Sequence, residues 1–567
     1  MENETQPLIQ KPATSRKRTL STALKVLIFA AILAVAGYWY YFTSPVDTSK
    51  YTNSKILKTP SNKEIELYWS VDEKANEIEF AVVSKNGATW VAIGTSDAGG
   101  MKGADIWLGY KKNDEFILED RFSETYGYPV LDQQQDLQLL SWYQSYFTTA
   151  FTFKRALESC DDQDAKLVTK HPMWFVFAIG VSNEFTMHAP GDNAQIYLDL
   201  DGHFFDDYVD VPLDDDTVEY SMIAPAYEIP AEDTVYCYSY FDISKDLTEK
   251  HQVVVEDISI ASKYVHHMVG YLCDEPLPEF ETPNTHFCNY YRPVNPVINY
   301  SPRCGAIHFA WAKGGVKKTY PANMGKPIGP GDLPVKYLIL ETHYSNPSLT
   351  PGQYDPGSGF KLKITKKLRE LDVGVFTVGV PQNYMYLPPG QFASVEGECG
   401  TKCTMKDSIP ETGLNVLSSQ LHMHRRGKAM STKHIRDGVE LSPLPSMEYF
   451  DFNYQSYNFV PKDQEKIMRG DRLITKCTYD TTKDTEMVVG GWSSEQEMCY
   501  AFVEYYPAMP NYSSCLQIPD LEAFPKKAKK SYTMICDAGD DDLDPVIKAG
   551  PKDPFVKYQP DSVCYAK

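Results

Sequence analysis

The chain has 567 residues, a length that allows about three or four domains. Hydrophobic residues make up 43% and charged residues 23%, which excludes a wholly disordered chain. The 55 Lys and Arg against 76 Asp and Glu give a formal net charge of −21, which argues against nucleic acid as the main partner. The sequence contains no glycine loop of the Walker or dinucleotide-binding type.

The N-terminus carries an uncharged apolar run, residues 26–42, that follows four basic residues. This run is at the short end of what a membrane-spanning helix needs. The positive-inside rule then predicts a signal anchor with residues 1–25 as a cytoplasmic tail. We therefore expect a single-pass type II membrane protein whose body lies in the secretory lumen or outside the cell. A cleaved signal peptide is the alternative, because residues 34–36 form an Ala-x-Ala pattern.

Alternating apolar residues follow the apolar run through most of the chain, as in Ile65, Leu67 and Trp69. Such residues share one face of a strand, and short strands separated by turn residues predict an all-β chain of sandwiches. Residues 200–232 are rich in Asp and Pro and are typical of a linker. A second boundary is expected near residues 366–372.

The chain has 12 cysteines, all after residue 159. An even number of cysteines in an exported chain predicts a disulfide framework. Two Asn-x-Ser sequons, at Asn299 and Asn511, are candidate glycosylation sites.

Two histidine motifs point to a metal. His422 and His424 are two residues apart, so in a strand both imidazoles lie on one side and can chelate one ion. His266 and His267 are neighbours and can bind one metal only at a bulge, a twist or a strand end. The alternative for each motif is a histidine pair that binds no metal.

A third histidine element, His343, lies in a strand-like run where it shares a face with Glu341. Three separated histidine elements in one exported β-rich stretch favour a metal site over isolated structural histidines. Imidazole suits copper and zinc, and a thioether favours Cu(I), which makes Met498 a candidate ligand. Met498 in core packing is the alternative.

The stretch 227–515 resembles the copper type II, ascorbate-dependent monooxygenases, in the dopamine β-hydroxylase branch. The matching motifs are VHHMVGYLC, LETHYSNP, SSQLHMHRRG, DFNYQ, GDRLITKCTYDTT and EQEMCYAFVEYYP. In that family three histidines hold one copper, and two histidines and a methionine hold the second. The resemblance therefore implies two coppers per chain, the first on His266, His267 and His343 and the second on His422, His424 and Met498.

The resemblance also implies a fold and a reaction. Two tandem β-sandwiches, residues 227–368 and 369–515, would each carry one copper and face each other across an open cleft. Ascorbate would reduce both coppers, and O2 would then hydroxylate an activated C–H of a small molecule such as a phenylethylamine.

Residues 51–200 resemble a DOMON domain, on the evidence of WVAIGTSDAGGMKGADIWLGY and FTFKRALESCDDQD. Some DOMON domains bind haem b through a Met and a His. Met101 and His188 stand at similar positions and are candidate haem ligands, with a haem-free domain as the alternative.

The resemblance suggests a partner for every cysteine, and the last two pairs would staple the tail 516–567 to the body. No cysteine would remain for an inter-chain bond, so a disulfide-linked oligomer is not expected. The implied pairs are Cys237–Cys288, Cys273–Cys304, Cys477–Cys499, Cys399–Cys515, Cys403–Cys536 and Cys160–Cys564.

Two other functions stay open. One is an exported copper or haem protein that transfers electrons without turnover. The other is peptide hydroxylation of the peptidylglycine type, which would need a cation for a carboxylate, such as Arg425 or Arg426. Tyr505 is a candidate substrate contact, with core packing as the alternative, and Glu341 could support a histidine or anchor an amine.

Overall fold

The computed structural model describes residues 46–161, 163–182, 185–208, 211–273, 275–277, 286–290, 304–382, 385–404, 409–509, 513–518, 535–537 and 548–550. The predicted tail and anchor (1–42), both sequons and Cys564 lie outside these residues. Within the described part of the chain, no helix is long and apolar enough to cross a membrane.

The first sandwich, residues 53–198, consists of two antiparallel sheets with strand orders β1-β2-β3-β9-β8 and β11-β10-β4-β5-β6-β7. Leu67 from one sheet and Trp107 from the other meet in its core, and both are fully buried. The strands are Asn53–Lys58 (β1), Glu64–Asp72 (β2), Glu77–Ser84 (β3), Trp90–Ser96 (β4), Ala104–Lys112 (β5), Glu115–Ser123 (β6), Val130–Leu131 (β7), Gln138–Gln144 (β8), Thr149–Ala156 (β9), Met173–Gly180 (β10) and Asn193–Leu198 (β11).

The second sandwich, residues 217–365, packs a sheet of order β17-β14-β21-β16-β18 against one containing β12-β23-β15-β20. Leu340 and Leu362 come from opposite sheets and are both fully buried in the core between them. The strands are Thr217–Ile223 (β12), Tyr227–Ile229 (β13), Thr234–Asp242 (β14), His251–Ser259 (β15), Val265–Cys273 (β16), His286–Tyr290 (β17), Cys304–Ala312 (β18), Lys318–Thr319 (β19), Met324–Ile328 (β20), Tyr337–Ser345 (β21), Gln353–Asp355 (β22) and Gly359–Thr365 (β23).

The third sandwich, residues 371–518 with the strand at 548–550, packs the sheet β25-β34-β28-β31 against β30-β29-β32-β27-β37. Its strand β24 also pairs in parallel with β20, which joins it to the second sandwich. The strands are Leu371–Asp372 (β24), Gly374–Val380 (β25), Tyr386–Leu387 (β26), Phe392–Cys399 (β27), Asn415–His422 (β28), Gly427–Arg436 (β29), Val439–Met447 (β30), Tyr457–Phe459 (β31), Arg472–Asp480 (β32), Val488–Val489 (β33), Cys499–Tyr506 (β34), Leu516–Ile518 (β35), Ile535–Asp537 (β36) and Lys548–Gly550 (β37).

Helix is rare in the described residues, where three four-residue segments occur: a 3-10 helix at Phe204–Asp207 and α-helical turns at Ile243–Asp246 and Thr401–Thr404. The all-β prediction is therefore confirmed for the described part of the chain. The predicted linker 200–232 is wrong in its second half. Strand β12 pairs along its whole length with β23, and β13 pairs with β22, so the second sandwich starts ten residues before the predicted 227.

A buried ionic network joins the second and third sandwiches. Glu504 of β34 binds Lys318 at 2.5 Å and Lys326 at 3.0 Å, and Lys326 also binds Glu256 at 2.7 Å. The hydroxyl of Tyr320 lies within hydrogen-bond distance of both carboxylates, 2.5 Å from Glu256 and 2.8 Å from Glu504, and shares its one O–H between them. Two lysines balance two glutamates, so the network is neutral although each of its members is at least 90% buried.

Four of the six implied disulfides are present: Cys237–Cys288, Cys273–Cys304, Cys399–Cys515 and Cys477–Cys499. Cys160 and Cys403 are also disulfide-bonded. Cys564, and the side chain of Cys536, are outside what the structure describes, so those two pairings stay predictions.

Candidate metal site

The first histidine set lies on two neighbouring strands of the second sandwich. His267 on β16 is paired with His343 on β21, and the register shifts between Val265 and His267. His266 is therefore the extra residue of a β-bulge. A bulge lets adjacent side chains reach one point, which a regular strand forbids.

The Nδ1 atoms of this set converge. Nδ1 of His267 lies 3.2 Å from Nδ1 of His343 and 3.5 Å from Nδ1 of His266. Imidazole nitrogens that bind one ion at about 2.0–2.1 Å are separated by roughly 3.3–3.6 Å. All three side chains are buried, and Nε2 of both His266 and His343 has no hydrogen-bond partner. The three residues fit a single metal ion.

The second set lies in the third sandwich, at the end of β28. The Nδ1–H of His422 donates to Oε1 of Gln455 at 2.7 Å, and the Nδ1–H of His424 donates to the carbonyl of Gln496 at 3.0 Å. Each Nε2 is therefore left as an unprotonated donor atom, and that of His424 has no partner although it is buried. Neighbouring residues therefore fix the tautomer of each of the two histidines in the predicted chelate.

Met498, the sixth predicted ligand, is 5% exposed and immediately precedes β34. The pairing of β28 with β34 ends at His422 and Tyr500, two residues before His424 on one strand and two residues after Met498 on the other. Beside it, the buried carboxylate of Glu497 accepts the backbone N–H groups of His424 at 2.9 Å and Arg426 at 2.7 Å. These bonds hold the segment after β28 against the segment that carries the methionine.

The two histidine sets meet in one cluster. The ring centroids of His267 and His422 are 5.4 Å apart, across the boundary between the sandwiches. Phe452 lies between the sets, 4.0 Å from the ring of His266 and 6.2 Å from that of His424. The open cleft implied by the resemblance is therefore wrong for this structure, because Phe452 and the buried contacts at the boundary hold the two sandwiches together.

Burial keeps these imidazoles neutral. It lowers the pKa of His266 to about 3 and of His422 to about 4, and it moves the pKa of His267, His343 and His424 well below the ordinary value. Neutral imidazoles are the form that binds metal. Three imidazoles in one set, and two imidazoles with a thioether in the other, are donor sets that suit copper.

Tyr505 is misplaced as a substrate contact. Its side chain is 1% exposed in the core of the third sandwich, with its ring 5.4 Å from Phe376. Its hydroxyl accepts the backbone N–H of Met509 at 3.2 Å. Strand alternation explains the error, because Tyr500 and Phe502 face the histidine side of β34 while Tyr505 faces the core.

Glu341 has tyrosine partners. Tyr238 and Tyr271 donate hydrogen bonds to its carboxyl group, and burial raises its pKa to about 7. The ring that supports His343 is Tyr236, stacked on it at 4.6 Å. Within the described residues, the hydrogen-bond partners of Glu341 are therefore tyrosines and not imidazoles.

Met101 and His188, the candidate haem ligands, lie in different surroundings. Met101 packs against the cluster that contains Trp90, as does Phe185, whose ring lies 5.1 Å from that of Trp90. The Nδ1 of His188 lies 3.2 Å from the carbonyl of Ala189. Haem binding at these two residues stays a prediction.

The arginines after His424 are both ion-paired. Arg425 contacts Asp233 at 3.1 Å and also Glu495. Arg426 binds Asp484 through two hydrogen bonds of 2.8 and 2.6 Å. Neither guanidinium is left as an uncompensated anchor for a peptide carboxylate.

Comparison with known families agrees with this architecture. Residues 220–351 match the copper type II ascorbate-dependent monooxygenase N-terminal domain, and residues 371–527 match its C-terminal domain. Residues 61–180 match the DOMON domain. The chain belongs to the copper type II ascorbate-dependent monooxygenase family.

The chain is similar to named members of that family. The chain is 32% identical to DBH-like monooxygenase protein 1 of Gallus gallus, over 76% of this chain and 70% of that protein. It is 30% identical to human DBH-like monooxygenase protein 1, over 80% and 73% respectively. It is also 30% identical to human dopamine beta-hydroxylase, over 88% and 80%.

Sequence reasoning missed the residues that orient the ligands. Gln455, Glu497 and Phe452 come from loops and act through contacts 30 or more residues away in the chain. A signal was present, because Phe452 and Gln455 lie in the motif DFNYQ and Glu497 directly precedes Met498. Their roles depend on tertiary contacts that the motif alone does not define.

Proposed function

We propose that the chain is a copper-dependent monooxygenase that uses O2 and ascorbate to hydroxylate an activated C–H of a small molecule. The observation that supports it most is the pair of donor sets. One joins three Nδ1 atoms, and the other joins two imidazoles whose Nδ1–H groups are already engaged. Both sets are buried, and both belong to domains of one oxidoreductase family.

The protein's own residues would bind the metal, orient the histidine ligands and exclude water. Gln455 and the carbonyl of Gln496 fix the tautomers of His422 and His424, and Tyr236 fixes the ring of His343. Phe452 shields the space between the two sets. Copper, when bound, would supply one-electron redox chemistry and O2 activation.

The same proposal favours a small amine over a peptide as substrate. A relative, human dopamine beta-hydroxylase, is named for acting on dopamine. The peptide alternative needs a cation for a terminal carboxylate, and the two arginines beside His424 are already paired with acidic side chains.

The test is ascorbate-dependent O2 consumption by the copper-loaded full chain, with product identified by mass spectrometry. Phenylethylamines would be compared with a peptide that ends in glycine. We expect hydroxylation of an amine, loss of activity in His343→Ala, and retained activity in His251→Gln, which changes a histidine outside the cluster. A copper-loaded chain that oxidises ascorbate without forming product would instead support the non-catalytic redox alternative.

Elemental analysis tests the metal sites independently of substrate. We expect two coppers per chain, falling to about one in His422→Ala/His424→Ala. A folded, oxidised chain that retains no copper would overturn the proposal. Iron in the same sample would support haem at Met101 and His188.

We also propose that residues 26–42 anchor the protein in the membrane with the three sandwiches on the lumenal or extracellular side. The apolar run and its preceding basic residues support this orientation. Alkaline carbonate extraction tests the anchor, and protection of the sandwiches from protease in sealed microsomes tests the side. A soluble product shortened at its N-terminus would favour the cleaved signal peptide.

A further inference from the structure

A cavity of 470 Å³ lies beside the histidine cluster, where the three sandwiches meet. The first sandwich contributes Lys102 to its wall, the second contributes Lys263 and Lys313, and the third contributes Arg425. His266, from the first histidine set, forms part of the same wall. The volume is within the range of small-molecule sites, roughly 300–1,000 Å³.

The wall is cationic although the chain as a whole carries a net charge of −21. Lys263 and Lys313 are exposed, and neither forms an ion pair with any described residue. The third lysine, Lys102, is partly buried and donates to the carbonyl of Phe450 at 2.9 Å. Three ammonium groups around one cavity create a local field that attracts anions.

The acidic groups near the cavity do not cancel this charge. Asp451 is buried and accepts hydrogen bonds from the hydroxyl of Tyr126 and the backbone of Asn453. Arg425 is compensated by its own two acidic partners, Asp233 and Glu495. The cavity wall therefore carries one carboxylate, that of Asp451, and the ammonium groups of three lysines.

We propose that this cavity is the binding site for ascorbate, the anionic reductant of the family, and that the electron enters through the ring of His266. The inference rests on the proposed function. His266 is 4% exposed, lines the cavity and has its Nδ1 within the three-histidine set. Among the described histidines, His266 is thus the one that both lines the cavity and belongs to the three-histidine set.

One hydroxylation consumes two electrons and two protons. Two ascorbate monoanions each release one electron and one proton and leave as the ascorbyl radical anion. The two electrons and two protons, with O2 and the substrate C–H, give the C–OH product and one water. Each ascorbate breaks one O–H bond, and both protons are consumed in forming water.

The charge of the cavity also separates reductant from substrate. An amine substrate is a cation at neutral pH and would be repelled by Lys102, Lys263 and Lys313. The first sandwich, which supplies Lys102 and Tyr126, would accordingly serve the reaction without haem by completing the wall of the reductant site.

The first experiment uses the copper-free full chain, so that ascorbate binds without being oxidised. Saturation-transfer difference NMR under argon should show ascorbate binding that is lost in Lys263→Gln/Lys313→Gln. The matched control is Lys361→Gln/Lys367→Gln, which removes two exposed lysines of the same sandwich and should leave the signal intact. Equal signals in both double variants would overturn the proposal.

The second experiment follows the loss of the Cu(II) EPR signal after anaerobic mixing with a reductant. Electrostatic focusing changes association rates by 10–1,000-fold, so the cavity variant should be reduced by ascorbate about tenfold more slowly at low salt. Its rate with the cationic donor N,N-dimethyl-p-phenylenediamine should not fall. Equal slowing with both donors would show a structural defect and overturn the proposal. A chain without a Cu(II) signal would instead refute the proposed function, while the NMR result would still report on the anion site.

Discussion

Gln455 Oε1 lies 2.7 Å from Nδ1 of His422 and accepts a hydrogen bond from its N–H. Gln455 is fully buried, and its Nε2 donates to the carbonyl of Phe452 at 2.8 Å, so the amide has one orientation. Because Oε1 can only accept, the imidazole must carry its proton on Nδ1 and keep the Nε2 lone pair. One glutamine therefore prepares a metal-binding atom and at the same time holds the phenylalanine that separates the two histidine sets.

Replacing this glutamine should weaken the second metal site without unfolding the protein. Loss of an outer hydrogen-bond partner of a ligating histidine typically costs 10–100-fold in metal affinity. We expect that reduction for Gln455→Leu, measured as copper per chain after dialysis against a competing chelator. Gln464→Leu, at a half-buried glutamine whose side chain donates to the carbonyl of Ser442, is the control. Full retention of copper by Gln455→Leu would contradict the assigned role.

The ionic network at Glu504 should dominate the stability of the boundary between the second and third sandwiches. Although burial raises it, the ammonium groups of Lys318 and Lys326 hold the pKa of Glu504 well below its ordinary value. Glu504→Gln leaves those lysines buried with less negative charge, a change that commonly costs 3–5 kcal/mol. Urea unfolding should show this loss, with partial recovery in Glu504→Gln/Lys318→Gln. Additive losses in the double variant would mean that the two side chains are not coupled.

The first sandwich should lose stability as the pH rises, because of Asp120. This side chain is fully buried, neither of its carboxyl oxygens has a hydrogen-bond partner, and Asp105 and Asp164 lie close by. Burial, together with those neighbours, raises the pKa of Asp120 to about 10. The folded state then keeps a proton that the unfolded state releases above about pH 4, so stability falls between the two values by up to about 1.4 kcal/mol per pH unit.

Asp120→Asn replaces the titrating carboxyl group with an amide and should flatten the dependence of stability on pH. Thermal unfolding at pH 6, 7, 8 and 9 measures the slope, and Asp201→Asn, at an exposed aspartate, should leave it as in the parent protein. A parent protein whose stability does not fall over this range would show that Asp120 is ionised when folded.

Tyr505→Phe should change stability but not catalysis. The hydroxyl accepts one hydrogen bond, from Met509, inside the core, and its loss is worth about 1 kcal/mol. We expect kcat and KM for the proposed amine substrate to stay within about twofold of the parent values, while the midpoint of urea unfolding shifts to a lower concentration. A large fall in kcat at unchanged stability would restore the tyrosine as a substrate contact.

The six candidate ligands were implied by the family resemblance, because the histidine spacing alone left a metal-free alternative open for each motif. The structure agrees with their spacing: two adjacent ligands need a bulge, a twist or a strand end, and His266 lies at a bulge. The two-residue repeat of a strand would have corrected Tyr505, since it is seven residues from Met498 and an odd separation reverses the face of a strand.

Long-range pairing accounts for what the sequence did not predict. The Asp- and Pro-rich composition of residues 200–232 suggested a linker, yet β12 within this range is a strand because it pairs with β23, more than 130 residues later. The two histidine sets also come together around Phe452 through tertiary contacts, and no local pattern in the DFNYQ motif indicates this arrangement.

The neutral network at Glu504 also fixes the position of the second histidine set. Ser418 hydrogen-bonds to Glu504 at 2.7 Å, and His422 lies four residues further along the same strand, roughly 13 Å away. Sliding the second and third sandwiches past each other would separate four buried charges from their partners. The network that stabilises the boundary therefore also sets the distance between His422 and the histidines of the second sandwich.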